Sequence, residues 1–161
     1  MLHFDDGSYI DWFLPHASPS FTMMDDNPWS PRDFFRWPNI GTGIFHDSKR
    51  GRTENFKRCT VELNRQEGED ALRDEKGNLL PCFRVKVWNG RTQVSIHVRA
   101  TSRARWVFDQ PTRAGFVSHL TYNEYPLEVE KIAILDEEGL RTFEDYEWIR
   151  GNAEHAWGIL N

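Results

Sequence analysis

Two alternating runs meet at Asn89-Gly90, and this junction constrains the fold more than any other stretch of the chain. Residues 79–87 and 91–101 each place apolar side chains at every second position. That period is the mark of a strand with one buried face. Asn-Gly is the strongest short hairpin signal, because a two-residue type I′ turn needs positive φ at both central positions. Such a turn predicts Val87 opposite Thr92, Val85 opposite Val94 and Phe83 opposite Ile96, all on the core face. The other face then carries Trp88, Lys86, Arg84 and Cys82 opposite Arg91, Gln93, Ser95 and His97.

Further strands are read on both sides of this hairpin. Residues 8–14 read as a short strand, 41–45 as a loop leading into another, and residues 55–63 alternate with Cys59, Val61 and Leu63 on one face. Residues 64–78 are almost wholly polar and read as a charged loop with a turn of helix near Glu69 to Asp74. Residues 105–108 and 114–122 read as extended. Residues 127–135 alternate without a clean inner face, since Val129, Lys131, Ala133 and Leu135 compete with Glu128, Glu130, Ile132 and Ile134.

The two ends of the chain read differently. Five prolines (Pro15, Pro19, Pro28, Pro31 and Pro38) lie among Trp12, Phe13, Phe21, Trp29, Phe34, Phe35 and Trp37. Proline removes backbone donors and fixes φ, so a long irregular arm is expected there, with a short helix from Ser30 to the residue before Pro38. At the other end, Thr142-Phe143-Glu144-Asp145 resembles a weakened capping box. Apolar residues follow at Phe143, Tyr146, Ile149, Ala153, Trp157 and Leu160, at helical steps of three and four. The expectation is therefore a single α+β domain: an arm over 1–40, an antiparallel sheet of five to seven strands over 41–135, and a helical C-terminus over 140–160. No βαβ alternation points to a doubly wound parallel fold.

Aromatic residues make up 14% of the 161 residues, too many for a disordered polar chain. The longest apolar run is Ile132 to Leu135, far below the roughly 20 residues that a spanning helix needs, so no membrane partner is expected. The first residues are acidic where a secretory signal would be basic, which makes the cytoplasm the expected location. Cys59 and Cys82 lie too far apart for a CxxC motif and read as buried free thiols.

The net charge of -5 conceals strong blocking: -5 over residues 1–31, +4 over 32–61, -3 over 62–83, +6 over 84–123 and -7 over 124–161. The strongest basic block thus falls on the hairpin and the strongest acidic block on the C-terminal segment. Whether one covers the other decides which surface is open to a partner.

No phosphate loop, nucleophile elbow, HExxH or clustered Cys/His set is present, so no catalytic residue, metal or cofactor is assigned. Three functional classes remain. The first is a non-enzymatic factor, of inhibitor or immunity type, that docks on a protein through Asp25, Asp26, Trp29, Glu137, Glu138, Glu144 and Asp145. The second is a nucleic-acid-binding β domain using Arg84, Lys86, Trp88 and Arg91, which combine phosphate-binding charge with a ring for base stacking. The third is a small enzyme with His46 as base, beside Asp47 in sequence, or with a pocket lined by His46, His97 or His119. Adjacent strand residues point to opposite faces, which argues against Asp47 orienting His46.

Overall fold

The computed structural model describes residues 1–13, 41–111 and 117–159. Along them run β1 (Leu2–Phe4), β2 (Tyr9–Phe13), β3 (Thr42–Asp47), β4 (Arg52–Phe56), β5 (Arg58–Arg65) and β6 (Pro81–Trp88). Then follow β7 (Gln93–Ala100), β8 (Ala104–Pro111), β9 (Val117–Asp136), β10 (Gly139–Thr142) and β11 (Ile149–Ile159). All eleven strands join one sheet in the order β4-β3-β2-β1-β11-β9-β7-β6-β5, with β8 and β10 both added to β9. Every pairing is antiparallel.

The two ends of this order are β4 and β5, and only Lys57 separates them in the chain. The chain therefore brings both sheet edges to one place, and the sheet curls into a nearly closed barrel. Asn89 Nδ2 donates to Glu54 Oε2 at 2.9 Å, tying the β6–β7 turn to β4. A Cβ on Gly43 of β3 would stand 2.9 Å from Val87 Cγ1 of β6, so these non-neighbouring strands meet directly. Inward side chains fill the barrel. Leu2, Ile10, Phe45, Val87, Ile96 and Ile134 are all at most 1% exposed.

The α+β expectation is not met. The expected helix over 140–160 is a single 3-10 turn, Phe143–Asp145, followed by the eleven-residue strand β11. The capping residues do engage: the Thr142 amide donates to Asp145 Oδ2 at 2.6 Å. They hold one turn only, because β11 is captured along its length by β9 and, at its start, by β1. Ile149 and Ala153 are buried at strand spacing, so tertiary pairing overrides the apparent helical period. The sheet is correspondingly larger than the five to seven strands expected.

The hairpin register also differs. Val87 faces Val94, Val85 faces Ile96 and Phe83 faces Val98. The connection is Asn89 to Thr92, not Asn89-Gly90 alone. Neither Asn89 nor Gly90 adopts positive φ. Instead, Asn89 Oδ1 accepts hydrogen bonds from the amides of Arg91 and Thr92, both at 2.8 Å, and its own amide donates to the Thr92 carbonyl at 3.0 Å. The side chain thus builds the turn. The shift is two residues, so each side chain keeps the face that alternation assigns it.

The ambiguous segment 127–135 has a similar explanation. The β7–β9 ladder shifts register between His97 and Val98, which oppose Lys131 and Val129. Glu130 is the extra residue of a bulge. The bulge lets Leu127 and Val129 point inward before it and Ile132 and Ile134 after it, so neither simple alternation describes the strand. Residues 1–13 of the expected 1–40 arm instead form β1 and β2 within the sheet, and the rest of the arm, 14–40, with its expected short helix lies outside the described residues.

Candidate nucleic-acid interface on the outer sheet face

The outward residues of β5, β6, β7 and β9 form rows across the barrel wall. One row runs Arg58, Trp88, Gln93, Leu135 and ends at Leu140 of β10. The next runs Thr60, Lys86, Ser95, Ala133, and the third Glu62, Arg84, His97, Lys131. Neighbouring strands lie about 5 Å apart and alternate residues on a strand about 7 Å apart. Arg58, Arg84, Lys86 and Trp88 therefore share a patch a few strand spacings wide, with Arg91 in the turn at its end.

The chemistry of that patch is cationic with an aromatic centre. Lys86 Nζ lies 5.7 Å from the Trp88 ring centroid, a cation–π contact. Trp88 is half-buried, while Arg58, Lys86, Arg91 and Lys131 are exposed. The Arg84 side chain is 62% exposed, and its ion pair with Glu62 is long, at 4.0 Å. Among the described residues, no carboxylate pairs with Lys86 or Arg91. Apolar surface continues the Trp88 row, since Leu135 is 50% and Leu140 61% exposed.

The acidic C-terminal block does not cover this patch. Asp136 accepts from Arg50 at 2.6 Å and from Arg141 at 3.0 Å, and Asp47 accepts from Arg141 at 2.9 Å and Arg50 at 3.2 Å. Glu138 pairs with Arg50 at 2.6 Å and Glu137 with Arg52 at 3.0 Å. The β9–β10 turn is thus clamped to the β3–β4 turn. Burial alone would raise the Asp136 pKa, but the Glu138 amide, Arg50 and Arg141 together hold it below the ordinary aspartate value. Asp136, Glu137 and Glu138 of the -7 segment thus pair with Arg50 and Arg52 of the +4 segment, and Glu128 takes Arg99 of the hairpin at 2.7 Å. Arg99 also meets Asp70 at 3.0 Å, and Arg103 meets Asp74 at 2.7 Å. The far end of the hairpin is therefore balanced, and its turn end is not.

The other candidates fall as follows. Glu137, Glu138, Glu144 and Asp145 are exposed, but each already has an internal partner; Glu144 accepts from the Thr142 hydroxyl and Asp145 from the Thr142 amide. Asp25, Asp26 and Trp29 lie outside the described residues. His46 stacks on Tyr9 at 5.3 Å and bonds Thr53 Oγ1 through Nδ1 at 3.0 Å, whereas Asp47 turns inward to its arginines. The structure does not bring the two together. His97 lies half-buried on the outer face between Arg84 and Lys131, on a wall rather than in a pocket.

A polar cleft of about 300 Å³ sits beyond Arg84, lined by Gln66, Asp70, Cys82, Arg99 and Glu130 among others. Buried Gln66 ties its rim down, donating to the carbonyls of Ala100 at 2.7 Å and Pro81 at 3.2 Å and accepting from the Leu72 amide at 3.0 Å. Burial pushes the half-buried Cys82 thiol above its ordinary pKa, which disfavours the nucleophilic thiolate. Among the described residues, no three His, Cys, Asp or Glu side chains gather as a metal site.

Arg58, Lys131, Leu135 and Leu140 belong to the patch, but no sequence motif singles them out. Their strands carry no local turn signal linking them to the hairpin, so their register against it is not legible in the chain. Comparison of the chain with protein-family models, curated proteins and solved structures returns no match.

Proposed function

We propose that the protein binds single-stranded nucleic acid on the outer face of β5, β6 and β7. The observation that carries this reading is the exposed cluster of Arg58, Arg84, Lys86 and Arg91 beside Trp88, while Asp136, Glu137 and Glu138 of the acidic segment are engaged by Arg50, Arg52 and Arg141. Cations along a strand track a phosphate backbone, and an indole among them gives one base a stacking surface. A duplex offers no unstacked base, so Trp88 favours a single strand over a double one. With one aromatic ring on the patch, affinity rests mainly on phosphate contacts and sequence preference is weak.

Fluorescence anisotropy with a labelled oligothymidine at low salt tests the proposal. Binding is expected, weakened by Trp88→Ala and weakened further by Arg84→Glu with Lys86→Glu. Absence of binding at low salt removes the proposal. Equal affinity for a duplex of the same length assigns the patch to general polyanion attraction and removes the stacking role of Trp88.

A further inference from the structure

We infer that β8 is a self-association edge, through which two copies of the chain pair antiparallel about Val107. Among the described residues β8 is held by β9 alone, from Ala104 opposite Glu124 to Pro111 opposite Val117. No other described strand pairs with its opposite edge. Three consecutive apolar side chains stand on it: Trp106 is 45%, Val107 42% and Phe108 47% exposed. Successive strand residues face opposite sides, so both faces of β8 are accessible at its centre. Natural edge strands usually carry charges, prolines or bulges that discourage such pairing. Here the centre of the strand has none of these.

The occupant follows from the strand's own sequence. In an antiparallel pair centred on Val107, Trp106 of each copy opposes Phe108 of the other, and Val107 opposes itself. A two-fold interface requires this self-complementarity, because each contact occurs twice with the roles exchanged. Aromatic pairs directly across a ladder are stabilising. Pro111 lacks an N–H and ends the pairing segment. The patch around Trp88 lies on β5–β7, so this inference is independent of the proposed function.

Sedimentation velocity on the full chain, from low micromolar to several hundred micromolar, tests it, together with a cysteine placed at the two-fold centre. Directly opposed antiparallel residues have Cα atoms about 4.5–5.5 Å apart, within reach of a disulfide. In a Cys82→Ser background, Val107→Cys is expected to form a covalent dimer under mild oxidation, and Leu140→Cys, more open to solvent, is expected to remain mostly monomeric. Phe108→Lys is expected to abolish the concentration-dependent dimer while leaving the circular dichroism spectrum unchanged. A monomer at every concentration overturns the inference. So does crosslinking of Leu140→Cys as readily as Val107→Cys, which reports collision rather than register.

Discussion

Replacing Asp136 by asparagine probes the clamp that joins the β3–β4 and β9–β10 turns. The Asp136 side chain is 1% exposed and accepts from Arg50, Arg141 and the Glu138 amide, the last at 2.9 Å. Asparagine keeps an acceptor for the amide and loses the charge facing the guanidinium groups of Arg50, Arg141 and, at 3.9 Å, Arg52. Hydrogen bonds to charged groups contribute about 1.5–3 kcal/mol each, and breaking a buried ion pair costs about 3–5 kcal/mol. Arg50 and Arg141 both retain Asp47, so the cost falls at the lower end, about 3 kcal/mol. That is a large share of the roughly 5–15 kcal/mol that holds a domain together. Urea unfolding followed by far-ultraviolet circular dichroism at neutral pH measures it.

The pH dependence adds a second handle on the same residue. The folded pKa of Asp136 lies below its ordinary value of 3.8, so the folded state binds fewer protons than the unfolded chain as the pH approaches that value. Its stabilisation is complete above the unfolded pKa and is lost as the pH falls through the folded one. Asp6 and Asp74 are lowered as well, so both proteins lose stability in acid. The difference between wild type and Asp136→Asn is expected to shrink below about pH 4, the unfolded aspartate pKa. A neutral-pH difference under about 1 kcal/mol, the worth of one ordinary hydrogen bond, refutes the clamp. Parallel stability curves through the acid range refute the assigned pKa direction.

Three other predictions concern the barrel itself. A Cβ on Gly151 would stand 2.0 Å from the Met1 carbonyl oxygen and 2.9 Å from Leu2 Cα, so Gly151→Ala is expected to displace β1 and cost about 3 kcal/mol or more, read as a fall in Tm. Burial pushes the Cys59 thiol to about 11, so in the native protein at mildly alkaline pH a thiol reagent is expected to label Cys82 and spare Cys59; equal labelling contradicts the packing. Burial and a hydrogen bond to Glu154 push the Tyr122 phenol up to about 12, and Glu154→Gln is expected to bring one tyrosine transition in an ultraviolet titration to lower pH.

Alternation around residues 83–98 makes the hairpin and its two faces legible in the amino-acid sequence. It does not supply the turn, because Asn89 can build a loop with its side chain as readily as by adopting positive φ. The bulge at Glu130 explains why 127–135 resists assignment: a single strand with an extra residue carries two phases of alternation. The C-terminal segment misleads for a different reason. A helical period and a real capping box are both present, but non-local pairing of β11 with β9 and β1 outweighs them, and no local pattern encodes that pairing. The candidate site divides in the same way. Arg84, Lys86 and Trp88 are found through the hairpin, whereas Arg58, Lys131, Leu135 and Leu140 reach the patch only through long-range register. The blocked charge pattern raises the question of coverage, and the ion pairs at Arg50, Arg52 and Arg141 place Asp136, Glu137 and Glu138 against the β3–β4 turn and β10.

The salt dependence of single-strand binding tests the central claim most directly. Each phosphate neutralised on a single strand contributes about -0.7 to the slope of log K against log salt. Arg58, Arg84, Lys86 and Arg91 acting together predict a slope between about -2 and -3. Lys86→Ala is expected to reduce that slope by about one phosphate's worth, and Lys76→Ala, on the charged loop away from the patch, to leave it unchanged. A slope near zero, or equal losses from Lys86→Ala and Lys76→Ala, contradicts the account.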